Sequence, residues 1–171
     1  LVMSNDSASH MSIEYGLSVP CLTISTACAS STNAVGEAFR QIRDGYADVM
    51  LAGGTEAFLT YGTFRSWESL RLLAAEDHDD PSKSCKPFSK DRSGLVLGEG
   101  AAVVVLEEMG KATRRGAHIY AELLGYGSTA DAMHMTRPSF EQQARAMSEA
   151  LKEAEVAPDQ IDYINAHGTA T

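Results

Sequence analysis

Apolar and polar positions follow two rhythms along this chain, and their order predicts the fold class. Asp6 and Ser7 offer caps for a helix running to about Tyr15, which Gly16 ends. The β-branched run Leu22-Thr23-Ile24-Ser25-Thr26-Ala27 predicts a strand over 21–26. From about Ala29 to Arg43 the period lengthens, and Val35, Ala38, Phe39 and Ile42 share one face of a helix that Gly45 terminates. A buried strand over 47–52 follows, stopping at Gly53-Gly54. Strand, helix and strand in that order predict an α/β fold with a parallel sheet covered by helices.

The later half is less regular at first. A short helix is expected near Phe64 to Ala74, then a polar loop through Asp77-His78-Asp79-Asp80-Pro81. The stretch 94–106 reads as extended and apolar with a bend at Gly98-Glu99-Gly100. A helix from Glu107 to Arg115 ends at Gly116, and 119–126 reads as another strand. Phe140, Ala144, Met147, Leu151 and Ala154 define an amphipathic helix that stops at Ala157-Pro158, and a strand over 161–166 delivers Asn165 and His167 to its C-terminal end.

Composition narrows the function classes. With 44% hydrophobic and 22% charged residues the chain is of ordinary globular make-up, and a net charge of −9 argues against a nucleic-acid partner, which needs a basic face. Basic residues gather only locally, at Lys83, Lys86, Lys90 and Arg92 and at Lys111, Arg114 and Arg115, consistent with a solvated loop and a helix end. The longest apolar run, Ala101 to Leu106, falls far short of a membrane span, and no secretory leader is legible, so no membrane partner and a cytoplasmic setting are expected. Leu1-Val2 is no natural start, and the chain reads as an internal fragment. Three cysteines without metal-ligand spacing read as thiols rather than a disulfide framework or a metal site.

Cys28 is the chief candidate for chemistry. It sits where a strand turns into a helix, ahead of the small residues Ala29-Ser30-Ser31, and unpaired N–H groups with the positive end of a helix dipole favour negative charge there. The pattern leaves a second reading open, a small buried hydrophobe. His167, in His-Gly-Thr-Ala-Thr, also ends a strand-like run and is a candidate proton partner or hydrogen-bond donor for a cysteine nucleophile; a simple capping turn is the alternative. His134 falls on a loop able to line a site, whereas His10, His78 and His118 read as surface or packing residues. Gly53-Gly54 and Gly98-Glu99-Gly100 match no nucleotide fingerprint, and Glu99 reads as a buried structural carboxylate.

In order, Thr26-Ala27-Cys28-Ala29-Ser30, Asp48 to Glu56, Lys86-Pro87-Phe88 leading to Gly98-Glu99-Gly100-Ala101, Ile119-Tyr120-Ala121-Glu122, Asp131-Ala132 with His134, and Asn165 to Thr171 resemble the β-ketoacyl synthases, in their elongating, type II-like form. The resemblance covers the whole chain. It implies a thiolase-like fold layered α-β-α-β-α, of which these residues form the later part of the first half and the start of the second. It also implies decarboxylative Claisen condensation of an acyl thioester with malonyl-acyl carrier protein in fatty acid or polyketide assembly.

By that resemblance Cys28 is the acylated nucleophile and His167 the first of two catalytic histidines. Thr169 and Thr171 would hydrogen-bond the phosphopantetheine arm, with His134 and Thr136 on a nearby loop, and Lys86 would meet the acidic acyl carrier protein. The implied assembly is a homodimer or a heterodimer with a ketosynthase-like subunit. No metal or redox cofactor is implied, since substrates travel on the carrier's phosphopantetheine. The second histidine, the lysine and a glycine-rich loop would lie beyond Thr171, so these residues alone are expected not to condense substrates. Ser89 and Ser93 stand where aspartate is usual, which questions local salt bridges. The rival readings are another thiolase-fold acyltransferase, a non-catalytic carrier-binding or dimer-partner subunit, and a cysteine hydrolase with His167 as base.

Overall fold

The structure, a computed structural model, describes residues 3–134 and 136–171. They divide into two units: residues up to Gly54 with Ala102–Asp162, and Thr55–Ala101 with Tyr163–Thr171.

In the first unit, α1 spans Asp6–Tyr15 and closes on Gly16, whose left-handed backbone (φ 63°) returns its N–H to the last turn. Its N-cap is Asn5 rather than Asp6 or Ser7, and no side chain caps it. α2 spans Ser30–Arg43, as its period predicts. β1 spans Val49–Glu56 and therefore continues through Gly53-Gly54, which were expected to end it. The reason is close approach: a Cβ on Gly53 would lie 2.0 Å from the Ala102 carbonyl oxygen.

β2, Gly100–Glu107, pairs with β1. The Glu108 N–H bonds the Asp48 carbonyl at 3.0 Å, while Gly53 faces Ala102 and Val103. The start of β1 thus meets the end of β2, and the pair is antiparallel; the parallel sheet was expected from 21–26 with 47–52, and among the described residues 21–26 joins no ladder. The segment 57–99 is long enough to return the chain from either direction, so no short crossover fixes the sense.

The segments 21–26, 119–126 and 161–166 carry no strand ladder among the described residues. β-branched composition favours extended backbone, but a strand also needs a neighbour to supply ladder bonds.

α4, Met109–Arg114, and α5, Phe140–Ala154, complete this unit's α-helices among the described residues. The packing face of α5 coincides only in part with its apolar stripe. Phe140 and Met147 are exposed, whereas Ala146, Ala150 and Ala154 pack on Gly125 and Gly127. A Cβ on Gly127 would lie 2.0 Å from the Ala146 carbonyl and one on Gly125 2.3 Å from that of Ala150, so small residues decide this contact.

The second unit holds α3, Tyr61–Ser69, which begins earlier than the hydrophobic period suggests because the Thr60 hydroxyl caps the Thr63 N–H. Backbone bonds of 2.9 Å join Leu72 and Ala74 to Leu95. Near the C-terminal end, Ala170 is buried and Gly168 (φ 48°) lies against Phe88.

Candidate active site

Cys28 lies in a turn closed by its own neighbours. The Ser30 hydroxyl accepts from the Thr26 N–H at 2.8 Å and donates to the Ala27 carbonyl at 2.7 Å. Ala27 itself takes a left-handed backbone (φ 52°), a conformation costing a non-glycine residue about 1–3 kcal/mol unless its surroundings hold it. Asn33, one turn into α2, donates to the Thr26 hydroxyl at 2.8 Å. The cysteine is exposed in this chain. It immediately precedes Ala29, the N-cap of α2, and no side chain caps this helix. The first-turn N–H groups of α2 therefore lack a side-chain acceptor beside the sulfur. β1 backs onto the same turn: a Cβ on Gly54 would lie 2.7 Å from Ser31 Cβ.

His167 is exposed and belongs to the second unit, whereas Cys28 belongs to the first. Its segment is shaped by Gly168 and by Ala170, which has a left-handed backbone (φ 63°). Thr169 and Thr171 come together, their hydroxyl oxygens 2.7 Å apart, and Arg92 Nε donates to the Thr171 carbonyl at 3.2 Å. One hydroxyl donates to the other in this pair, which leaves one proton to offer a ligand.

His134 and Thr136 also come together, in the first unit. His134 Nδ1 accepts from the Thr136 N–H at 3.2 Å, which places the ring proton of the neutral imidazole on Nε2. Lys86 is half-buried and already paired, with Asp91 at 3.0 Å and Asp77 at 3.5 Å. Those partners, Asp91 first, raise its pKa. The Ser89 hydroxyl and then Lys86 hold the Asp91 carboxyl down at about 2. Salt bridges thus persist beside Ser89, and Ser93 instead accepts the Ala75 N–H at 3.0 Å. Glu99, expected to be buried, is exposed, although it does accept the Leu59 N–H at 2.8 Å. Among the described residues no group of His, Cys, Asp and Glu is arranged to hold a metal.

Two family models match in succession: Beta-ketoacyl synthase, N-terminal domain, over residues 2–112, and Beta-ketoacyl synthase, C-terminal domain, over 120–171. The chain belongs to the β-ketoacyl synthase family. Nodulation protein E of Rhizobium leguminosarum bv. trifolii is 47% identical over 99% of this synthase chain and 40% of its own length. The mitochondrial 3-oxoacyl-[acyl-carrier-protein] synthase of Arabidopsis thaliana is 42% identical over 99% of the chain and 37% of its own length. A type II PKS ketosynthase, solved in complex with its acyl-carrier protein and bound to the hexaketide, superposes with a TM-score of 0.93 at 41% identity, over 96% of this chain and 41% of that one. The synthase chain described here therefore spans about 40% of the length of such relatives and takes up part of their thiolase-like α/β fold. Among its described residues no helix is long and apolar enough to cross a membrane.

Sequence reasoning missed the groups that hold the synthase's cysteine turn. Thr26, Ser30 and Asn33 flank Cys28, and Ser30 and Asn33 share a helical face, so a search for hydroxyl and amide groups around the thiol would have found them. Tyr126, whose hydroxyl donates to Asn33 Oδ1 at 2.8 Å, carries no such local signal.

Proposed function

We propose that this chain carries the nucleophile half of a decarboxylative condensing site that extends a fatty acyl or polyketide chain. The observation that supports this reading most is Cys28 itself: exposed, held in a hydroxyl-locked turn, and placed at the uncapped start of α2 in a β-ketoacyl synthase chain.

In the first half-reaction the Cys28 sulfur attacks the carbonyl of an acyl thioester. The bond to the carrier sulfur breaks, the carrier thiol leaves with a proton, and an acyl-Cys28 thioester remains. In the second, a malonyl thioester loses carbon dioxide, and the resulting enolate carbon attacks the acyl-Cys28 carbonyl. The sulfur of Cys28 then leaves, and a 3-oxoacyl thioester is released. His167 donates from Nε2 to the malonyl thioester carbonyl as negative charge builds there, so its tautomer matters more than its basicity.

Thr169 and Thr171 bind the phosphopantetheine arm with the hydroxyl proton their mutual bond leaves available. His134, protonated on Nε2 by virtue of its bond from Thr136, supplies a further donor. Acyl carrier protein is the delivery partner, as the ketosynthase complex among the structural neighbours suggests, and the assembly is a homodimer or a ketosynthase-like heterodimer. Lys86 meets the carrier only by exchanging Asp77 or Asp91 for one of its carboxylates.

The two half-reactions separate in the full-length protein. Cys28→Ala is expected to abolish the acyl adduct and to lower condensation on the order of 10³-fold or more. His167→Ala should leave the Cys28 adduct in place and lower condensation about 10²–10³-fold. An adduct that survives Cys28→Ala, or condensation indifferent to His167→Ala, would overturn the proposal.

A further inference from the structure

A continuous chain of polar groups runs from the interior of the first unit to the nucleophile turn. Tyr126 is buried, and its ring lies against α2 so closely that a Cβ on Gly36 would fall 2.4 Å from it. Its backbone N–H donates to Glu153 Oε2 at 2.6 Å, and the Arg40 guanidinium stands over the ring at 4.8 Å. The ring is thus fixed from α5 and from α2. Its hydroxyl donates to Asn33 Oδ1 at 2.8 Å, and Asn33 Nδ2 donates to Thr26 Oγ1 at 2.8 Å. Thr26 is two residues from Cys28, and its N–H is held in turn by Ser30.

The geometry points to Asn33, anchored by Tyr126, as a positioning residue that sets the aim of the Cys28 sulfur through Thr26. This inference rests on the condensing reading above for the reaction it serves. An amide suits the place because it accepts from a phenol on one side and donates to a hydroxyl on the other, and the observed orientation makes both bonds. Holding the turn also holds Ala27 in its left-handed backbone, the element of the turn with the greatest tendency to relax. If the bond to Thr26 is lost, the turn can relax while α2 and α5 remain packed, so the sulfur should lose its aim before the unit loses its fold.

The test uses the full-length protein and two readouts at Cys28: acylation by a short-chain acyl thioester, resolved into maximal rate and KM, and alkylation by iodoacetamide. Asn33→Ala and Thr26→Val should each lower the maximal acylation rate about tenfold with KM within twofold, as expected when only the alignment of the attacking atom is lost. Tyr126→Phe should lower it about threefold. Thr26→Ser keeps the hydroxyl and should restore the rate to within twofold of the parent protein. The Asn33→Ala/Thr26→Val double variant should be no slower than the slower single, because both break one chain. Melting temperatures that fall in Asn33→Ala while both rates at Cys28 stay at parent values would overturn the inference, as would Thr26→Ser acting like Thr26→Val. If the parent protein forms no acyl adduct, the condensing reading fails by itself. Alkylation rates across the same variants then still decide whether the chain of bonds governs Cys28.

Discussion

Two helix starts in the first unit are built to opposite ends. α5 opens at Ser139, which is buried, has extended backbone (φ −90°, ψ 121°) and accepts the Gln142 N–H at 3.3 Å, while its own N–H is held by Asp131 at 2.7 Å. α2 opens at Ala29, whose backbone is already helical (φ −86°, ψ −3°) and whose methyl group can cap nothing. Side-chain capping needs the extended geometry of the first start, so the second could not be closed from its N-cap position even by serine. The hydroxyl beside it, on Ser30, is turned backward to lock the Cys28 turn. Of these two starts, the one closed by a side chain does not adjoin the sulfur and the one without a side-chain cap does.

The largest effect that would break this comparison comes from Ala29→Asp. A fixed negative charge beside the sulfur disfavours the thiolate by like-charge repulsion, and Cys28 alkylation should slow about tenfold, equivalent to about 1.4 kcal/mol. Stability should stay within about 0.5 kcal/mol, since the helical backbone at position 29 prevents a good cap. A gain of a full capping increment with unchanged alkylation would show that α2 is merely an uncapped helix. Ser139→Ala tests the other side: it should cost about 1 kcal/mol in denaturant unfolding and leave the Cys28 alkylation rate within twofold. A slowed thiol in that variant would mean that the two starts are not independent.

The smallest effect concerns the Lys86 loop of the second unit, where Asp91 is exposed. Ser89 and Lys86 hold the Asp91 carboxyl at about 2, below its ordinary 3.8. A carboxyl lowered by folding contributes in full above its ordinary value, and the contribution disappears as the pH falls through the folded value. Ser89→Ala should therefore raise the Asp91 midpoint toward 3.8 and move the loss to higher pH, as read by carboxyl-carbon NMR titration. An unmoved midpoint would show that Ser89 is not the cause.

These contrasts also show what the amino-acid sequence made legible. The α2 period through Val35, Ala38, Phe39 and Ile42, and the closing glycines Gly16 and Gly116, were readable because each depends on residues within one helix. The place of Cys28 just ahead of α2 was readable for the same reason, whereas Thr26, Ser30 and Asn33, which hold its turn, were missed although their bonds are local. The antiparallel sense of β1 and β2, the passage of β1 through Gly53-Gly54 and the glycine–alanine contact under α5 were not, because each depends on a backbone brought in from far along the chain. Lys86 shows the same limit: the family resemblance implied an acidic partner, and its neighbours Asp77 and Asp91 already provide one.

The central claim is that Cys28 is the nucleophile, and the three cysteines provide an internal control because Cys21, Cys28 and Cys85 are all exposed. Site-resolved mass spectrometry of the full-length protein, treated with substoichiometric iodoacetamide, measures their relative rates directly. The account predicts that Cys28 is modified well ahead of Cys21 and Cys85 and that prior acylation by a thioester protects it alone. Modification of Cys28 at a rate equal to or below that of the other two would contradict it.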